Sequence, residues 1–164
     1  MHTTAYWLTL SHEMLVSLPY NSTERLDGVN GLGNALQAVA TLLVMCDARD
    51  LGVAVGENEK QGSGVRDQGS AKEESLSRLP APDPRPPAFE PNIYLYDKYP
   101  GGIGFSEPLF RMNDTLLADT RKLIEKCPCL AGCPSCVGPA GEVGAKGKEV
   151  ALAILEKLCV ECIS

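Results

Sequence analysis

The sequence has few aromatic residues and no apolar run that could span a membrane. Aromatic side chains make up 5% of the 164 residues, whereas hydrophobic residues make up 44%. A core built from this composition is mostly aliphatic. The longest apolar-rich run, Ala38 to Cys46, is far shorter than the roughly 20 residues that a membrane-spanning helix needs. We therefore expect a single globular domain with no membrane segment.

No secretory signal is expected either, because Met1-His-Thr-Thr is not a basic segment followed by an apolar one. The seven cysteines are an odd number, which does not suit a complete set of disulfides. Together these features predict a reducing, cytoplasmic location.

An excess of acidic residues argues against a domain that binds nucleic acid by electrostatics alone. The formal net charge is −6, whereas tight binding to DNA requires cations that neutralise phosphates. Arg121, Lys122, Lys146 and Lys148 are among the cations that flank the C-terminal cysteines. We consider them candidate nucleic-acid contacts and expect weak binding to DNA. A solvated surface of mixed charge is the alternative interpretation.

Residues 57–91 differ in composition from the rest of the chain. They contain six of the twelve prolines, three glycines and many charges, but only scattered apolar residues. Such a segment cannot bury enough apolar area to offset the entropy lost on ordering. The composition predicts one domain over residues 1–164, interrupted by a disordered Pro/Gly-rich insertion at 57–91.

The spacing of apolar residues predicts strands and helices around this insertion. Strands are predicted over 4–10, 51–55 and 92–97. Helices are predicted from about 32 to 46, from about 106 to 126 with a break near 113, and from about 146 to 162. The predicted fold is α+β, with a small mixed sheet packed against three to four helices.

Ten residues near the C-terminal end carry the clearest chemical signal. The segment Cys127-Pro-Cys129-Leu-Ala-Gly-Cys133-Pro-Ser-Cys136 has the pattern C-x-C-x3-C-x2-C. Gly132 permits a positive φ and the two prolines restrict the unfolded loop, so a sharp turn can bring four sulfurs around one point. Four thiolate sulfurs, each about 2.3 Å from the metal ion, are the ligand set of a closed, structural zinc site. The pattern predicts one structural Zn²⁺ bound by Cys127, Cys129, Cys133 and Cys136, in a loop between the last two helices.

Other interpretations of the cysteines remain open. The first is an iron–sulfur cluster, which uses the same ligands. The second is a pair of disulfides, although disulfides between such close neighbours would be strained. The third is that the four thiols have no common function. Of the other cysteines, Cys46 is predicted to be a small core residue. Cys159 and Cys162 lie three apart on the last predicted helix, either as core residues or as a second metal pair.

A glycine-rich turn follows the strand predicted at 92–97. Gly101, Gly102 and Gly104 stand just ahead of a predicted helix. A strand, a glycine-rich turn and a helix in this order can present backbone N–H groups to an anion. The turn is not a P-loop, because no Gly-Lys-Ser/Thr follows. Close packing of the backbone is the alternative reason for the glycines.

These motifs together resemble the MrfA-type zinc-binding domain, which closes the C-terminal end of a branch of superfamily 2 DEAD/DEAH-box DNA helicases linked to DNA repair. The resemblance rests on Tyr96-Asp-x-Tyr-Pro-Gly-Gly-x-Gly104, on the cysteine decapeptide, on Gly31-Leu-Gly-Asn-Ala-Leu36 and on Cys46-Asp-Ala-Arg-Asp-Leu-Gly52. It covers nearly all of the chain outside residues 57–91. It implies that the four cysteines of the decapeptide bind zinc.

The sequence departs from this family in two respects. Asn34 stands where family members often have histidine, and the 164 residues contain neither G-x-x-x-x-G-K-[ST] nor a DEAH-type box. We therefore expect a fragment or a separate domain with no ATPase activity of its own. The expected function is a structural zinc-binding accessory domain that braces the motor of an ATP-dependent DNA helicase and guides DNA. The alternative is a cytosolic thiol redox protein that uses the C-x-C or C-x-x-C cysteines.

Overall fold

The computed structural model describes residues 4–57 and 90–161, which form a three-stranded sheet and six helices. The strands are β1 (Ala5–Thr9), β2 (Leu51–Glu57) and β3 (Pro91–Asp97). The helices are α1 (His12–Val16), α2 (Ser22–Leu43), α3 (Ser106–Arg111), α4 (Asn113–Lys126), α5 (Ala140–Val143) and α6 (Gly147–Glu161). The predicted α+β class is confirmed. Among the described residues, no helix is long and apolar enough to cross a membrane.

The sheet is antiparallel, with β3 between β1 and β2. Tyr6 of β1 pairs with Leu95 of β3, and Leu51 of β2 pairs with Asp97 of β3. Both described strand pairs are antiparallel, in contrast to the mixed sheet predicted from the sequence. The difference arises because alternating apolar residues indicate a strand but not the direction of its neighbour.

One face of the sheet packs against α2. Ile93 and Leu95 of β3 are almost completely buried, and they share a face because side chains alternate along a strand. The helix comes close to the sheet at Gly33, where an added Cβ would lie 3.2 Å from Val53 Cγ2. The other side of α2 contacts α4 and α6, so α2 forms the centre of the domain.

The start of α2 differs from its prediction, since the helix begins at Ser22 rather than near residue 32. Asn21 Oδ1 accepts a hydrogen bond from the Glu24 N–H (2.8 Å), and the Glu24 carboxylate accepts one from the Asn21 N–H (3.0 Å). This reciprocal capping satisfies two donors at the start of a helix. Glycines such as Gly28 obscured the pattern because glycine is a poor helix former. At Gly28 the absence of a side chain leaves room for Val150 of α6.

The predicted helices correspond to α2, to α3 and α4 with a break at Met112, and to α6. The four-residue helix α5 follows the cysteine loop and was not predicted, so the loop lies between the last two long helices, α4 and α6. The connector between the loop and α6 packs into the core, since Val137, Gly138 and Val143 are buried.

The insertion predicted at 57–91 begins and ends in the sheet, because Glu57 of β2 pairs with Pro91 of β3. Pro91 is accommodated as the first residue of its strand, where a missing N–H costs little. Residues 58–89 lie outside the described residues, so their disorder and the single domain spanning 1–164 stay predictions.

Deleting residues 60–88 is expected to raise the free energy of unfolding by no more than about 2 kcal/mol, since each halving of a loop's length saves about 0.6 kcal/mol of closure entropy. The deletion leaves residues 58, 59, 89 and 90 between the paired Glu57 and Pro91, and loops of about four residues readily connect antiparallel strands. Urea denaturation of both forms measures the change. A large fall in stability would show that the deleted residues pack against the core.

Candidate metal centre

The cysteine loop begins where α4 ends. Cys127 caps the helix with extended backbone angles (φ −68°, ψ 126°), which direct the chain away from the helix axis. Gly132 has a φ of +133°, and a Cβ at this position would lie 2.8 Å from both the Gly138 carbonyl oxygen and Val137 Cγ2. Only glycine therefore fits this turn, which folds the second half of the loop back onto the first.

The loop brings the four predicted ligand sulfurs together. The Sγ–Sγ distances are 3.5 Å for Cys127–Cys129 and Cys127–Cys133, 3.4 Å for Cys129–Cys136 and 3.6 Å for Cys133–Cys136. All four sulfurs lie within 4.8 Å of one another. Sulfurs bound at about 2.3 Å to a tetrahedral Zn²⁺ are about 3.8 Å apart along each edge, so the spacing of the thiols fits this ion.

The chemistry of these thiols also fits a metal rather than disulfides. Their separations far exceed the S–S bond length of about 2.05 Å, and all four are free thiols, with Cys136 buried and the others half-buried. Burial raises the pKa of the Cys136 thiol to about 12, so a cation that binds there must displace its proton. Four thiolate ligands complete a tetrahedral site and leave no open position for catalysis.

Two side chains from other helices hold the loop in place. Lys148 Nζ of α6 donates hydrogen bonds to the carbonyl oxygens of Cys127 and Cys129, both at 2.7 Å. Asn34 Nδ2 of α2 donates to the Val137 carbonyl oxygen at 3.1 Å. Lys148 is a predicted nucleic-acid contact, but the structure directs its ammonium group to the cysteine loop. Sequence reasoning could not find these contacts, because their partners are 19 to 103 residues apart.

The other three candidate nucleic-acid contacts each have a carboxylate partner. The pairs are Arg121–Glu125 (2.7 Å), Lys122–Asp119 (2.9 Å) and Lys146–Glu24 (2.9 Å). Exposed ion pairs contribute little stability and can exchange partners. The acidic partners nevertheless reduce the positive potential that these cations offer to a phosphate.

The remaining described cysteines lie outside the sulfur cluster. Cys46 is half-buried after the end of α2, and burial raises the pKa of its thiol, which agrees with its predicted role as a packing residue. Cys159 is half-buried on α6. Among residues 4–57 and 90–161, the four-thiol group is the one cluster whose donor atoms could share an ion. Cys162, the predicted partner of Cys159 in a second metal pair, lies outside the described residues.

The glycine-rich turn binds a carboxylate of the same chain. Gly101, Gly102 and Gly104 have φ values of +90°, +72° and +93°, which glycine adopts without strain. The N–H groups of Ile103 and Gly104 donate to Asp97 Oδ2 at 2.8 and 2.9 Å. Asp97 is 1% exposed. Of the three glycines predicted to bind an anion, Gly104 therefore directs its N–H to a buried side chain at the end of β3, and the Gly102 N–H donates to the Tyr99 carbonyl oxygen.

Four thiols with the spacing of a tetrahedral ion, set between two helices of a small α+β domain, define a structural metal-binding domain. The particular family follows from comparison with protein families, because residues 32–137 match the model of the MrfA Zn-binding domain. The chain belongs to this family, and its four-cysteine cluster is consistent with one structural zinc. The resemblance inferred from the motifs is confirmed.

The relatives of this chain are much longer proteins. The uncharacterized ATP-dependent helicase YprA of Bacillus subtilis (strain 168) is 31% identical over 158 residues, which cover 96% of this chain and 17% of YprA. A crystal structure of the DUF1998 helicase MrfA bound to DNA is similar with a TM-score of 0.59 and 29% identity, over 87% of this chain and 15% of MrfA. The crystal structure of MrfA bound to DNA and AMPPNP is similar with a TM-score of 0.52 and 29% identity, over 93% of this chain and 15% of MrfA. The chain thus spans about one sixth of the length of these relatives.

Proposed function

We propose that this chain is a structural zinc-binding accessory domain of an ATP-dependent DNA helicase. In this proposal Cys127, Cys129, Cys133 and Cys136 bind one Zn²⁺. The observation that carries it is the group of four sulfurs within 4.8 Å of one another in a chain of the MrfA Zn-binding family. The helicase context is supported by YprA and MrfA, which are both described as helicases.

Zinc would supply folding free energy rather than catalysis, because four thiolates leave no position for a substrate. The ion would connect the end of α4 to the buried segment that leads into α6, and both helices pack against α2. Metal binding by small zinc modules contributes about 10–16 kcal/mol, which becomes folding free energy when the unfolded chain has no preformed site. A domain made rigid in this way is suited to brace the motor domains of a helicase.

The proposed place of this domain is the C-terminal end of a cytoplasmic DNA-repair helicase, where it would also guide a DNA strand. Support comes from the greater length of the relatives and from the DNA bound to MrfA in both solved structures. The chain would contribute no ATP hydrolysis itself, because its 164 residues contain no P-loop sequence.

The geometry does not favour the thiol redox alternative. A redox pair needs an accessible sulfur with a lowered pKa, whereas Cys136 is 2% exposed and its pKa is raised by burial. A single group of four sulfurs is typical of a closed metal site.

The purified chain is expected neither to hydrolyse ATP in the presence of single-stranded DNA nor to reduce the disulfides of insulin. In a polypeptide that carries this domain together with helicase motor domains, Cys133→Ser is expected to reduce strand separation more than ATP hydrolysis. The reason is that the ATP site of the motor domains would remain intact, whereas the zinc domain that braces these motor domains would lose its rigidity. Cys46→Ser is the matched control and should change neither activity. ATP hydrolysis or disulfide reduction by the chain alone would contradict the proposed function.

Binding of single-stranded DNA by the isolated chain is expected to be weak and without sequence preference. Replacing Arg121, Lys122 and Lys146 together by Ala is expected to make the plot of log K against log salt concentration less steep, by up to about 2. Each phosphate contact on a single strand contributes about 0.7 to the steepness of this plot. Lys148 is kept in this variant because it contacts the cysteine loop. Fluorescence anisotropy at several salt concentrations measures affinity and slope. Unchanged values would assign DNA binding to other residues or to the motor domains.

A further inference from the structure

Lys148 connects the first half of the cysteine loop to α6. Its side chain is half-buried, and its Nζ donates to the carbonyl oxygens of Cys127 and Cys129, both at 2.7 Å. These residues form the C-x-C pair, and Pro128 between them has no N–H to offer a neighbour. One ammonium group therefore orients the backbone on both sides of this proline. Through the backbone it orients the first two sulfurs of the cluster.

The charge of the cluster gives this ammonium group a second effect. Four thiolates outweigh a divalent cation by two negative charges, and partly buried charge is costly unless an opposite charge lies nearby. Other described cations close to the loop in sequence are directed elsewhere or exposed: Lys146 pairs with Glu24, and Lys126 is exposed. Lys148 is the described cation whose hydrogen bonds go to the backbone of two cysteines of the cluster.

We propose that Lys148 is a positioning residue of the metal site, which orients Cys127 and Cys129 through their carbonyl groups and offsets part of the thiolate charge. This inference rests on the proposed binding of zinc by the four cysteines. Residues that orient metal ligands from outside typically change metal affinity by about 10–100-fold when they are replaced. Replacing Lys148 should therefore weaken zinc binding although all four sulfurs remain.

Three variants separate this effect from a general loss of stability. Lys148→Met removes the ammonium group but keeps an unbranched side chain, whereas Lys148→Arg keeps a positive charge and several donors. Lys146→Met is the matched control, because Lys146 lies directly before α6, two residues from Lys148, but pairs with Glu24. Competition with a chromophoric chelator measures zinc affinity. The visible spectrum of the cobalt(II) form reports the geometry of the thiolate ligands, and far-UV circular dichroism reports helix content.

We expect Lys148→Met to weaken zinc binding by about 10–100-fold and to shift the cobalt(II) spectrum while helix content is retained. Lys148→Arg should restore most of the affinity, and Lys146→Met should leave it unchanged. Affinity and spectrum equal to those of the unmodified chain in Lys148→Met would overturn the inference. If Lys148→Met does not fold, Lys148→Gln replaces it: weaker binding than in Lys148→Arg supports the inference, and equal binding overturns it. Absence of zinc from the unmodified chain would instead overturn the proposed function.

Discussion

Cys133→Ser is expected to abolish tight zinc binding and to loosen α4 and α6, whereas the unmodified chain is expected to contain about one zinc. Cys133 Sγ lies 3.5 Å from the sulfur of Cys127 and 3.6 Å from that of Cys136. Its loss therefore removes the thiolate that lies between these two ligands. The zinc contribution of about 10–16 kcal/mol is as large as the entire stability of many small domains, about 5–15 kcal/mol. Elemental analysis and thermal unfolding measure both effects.

The matched control for this experiment is Cys46→Ser, which should keep its zinc because Cys46 lies outside the sulfur cluster. Loss of zinc in this control would mean that the ligand set is different. Iron with visible absorbance in the unmodified chain would identify an iron–sulfur cluster, and free thiols without any metal would contradict a metal site.

Asp97→Ala is expected to lower the free energy of unfolding by about 3–6 kcal/mol, since two hydrogen bonds to a charged group contribute about 1.5–3 kcal/mol each. The Asp97 carboxylate accepts the N–H groups of Ile103 and Gly104 and is almost completely buried. Its loss leaves these two N–H groups without their acceptor in a turn that depends on it. Urea denaturation at neutral pH measures the change.

Two further variants show whether the charge itself matters. Asp97→Asn keeps an acceptor oxygen without the negative charge and should be destabilised less than Asp97→Ala. Asp119→Asn removes only an exposed partner of Lys122 and should change the free energy of unfolding by less than about 1 kcal/mol. A loss in Asp97→Ala as small as that in Asp119→Asn would show that the turn does not need its internal carboxylate.

The cysteine cluster could be predicted from the sequence because its four residues lie within ten positions, so local turn chemistry decides whether they meet. Gly132 is an example, since its residue type alone indicated that a positive φ is allowed there, and its φ is +133°. The strands around Tyr6 and Leu95 were predicted for a related reason, because alternation between buried and exposed residues is also a local pattern. The assignment of the individual sulfurs to zinc stays a prediction until the metal is measured.

The partners of charged residues could not be predicted, because they depend on how the helices pack. Lys146 and Lys148 look alike in the sequence, yet one pairs with Glu24 and the other contacts Cys127 and Cys129. Lys146 lies directly before α6 and Lys148 in its first turn, and the packing of α6 on α2 determines which groups each side chain contacts. The carboxylate of Asp97 is a similar case, since nothing in its residue type shows that it faces the turn.

The start of α2 was missed for a different reason. The capping pattern of Asn21 and Glu24 is local and visible in the sequence, but it was outweighed by the glycines that follow. Those glycines reflect close contacts of the folded state, such as that between Gly28 and Val150. The glycines that allow close packing of α2 therefore weakened the helical pattern of its first turns, although the capping residues Asn21 and Glu24 indicate where the helix begins.

The contact between α2 and α6 joins two helices that are separated in the chain by residues 44–146. While the protein is being synthesised, the side of α2 that packs on α6 has no cover until residues 147–161 have followed, and an uncovered apolar surface of this kind promotes aggregation of nascent chains. The cysteine loop precedes α6 in the chain, and in the folded domain the Val137 carbonyl oxygen, just after the loop, accepts a hydrogen bond from Asn34 of α2. A zinc ion bound by the loop would therefore hold the beginning of α6 beside α2. This would shorten the time for which the side of α2 that packs on α6 is exposed to solvent.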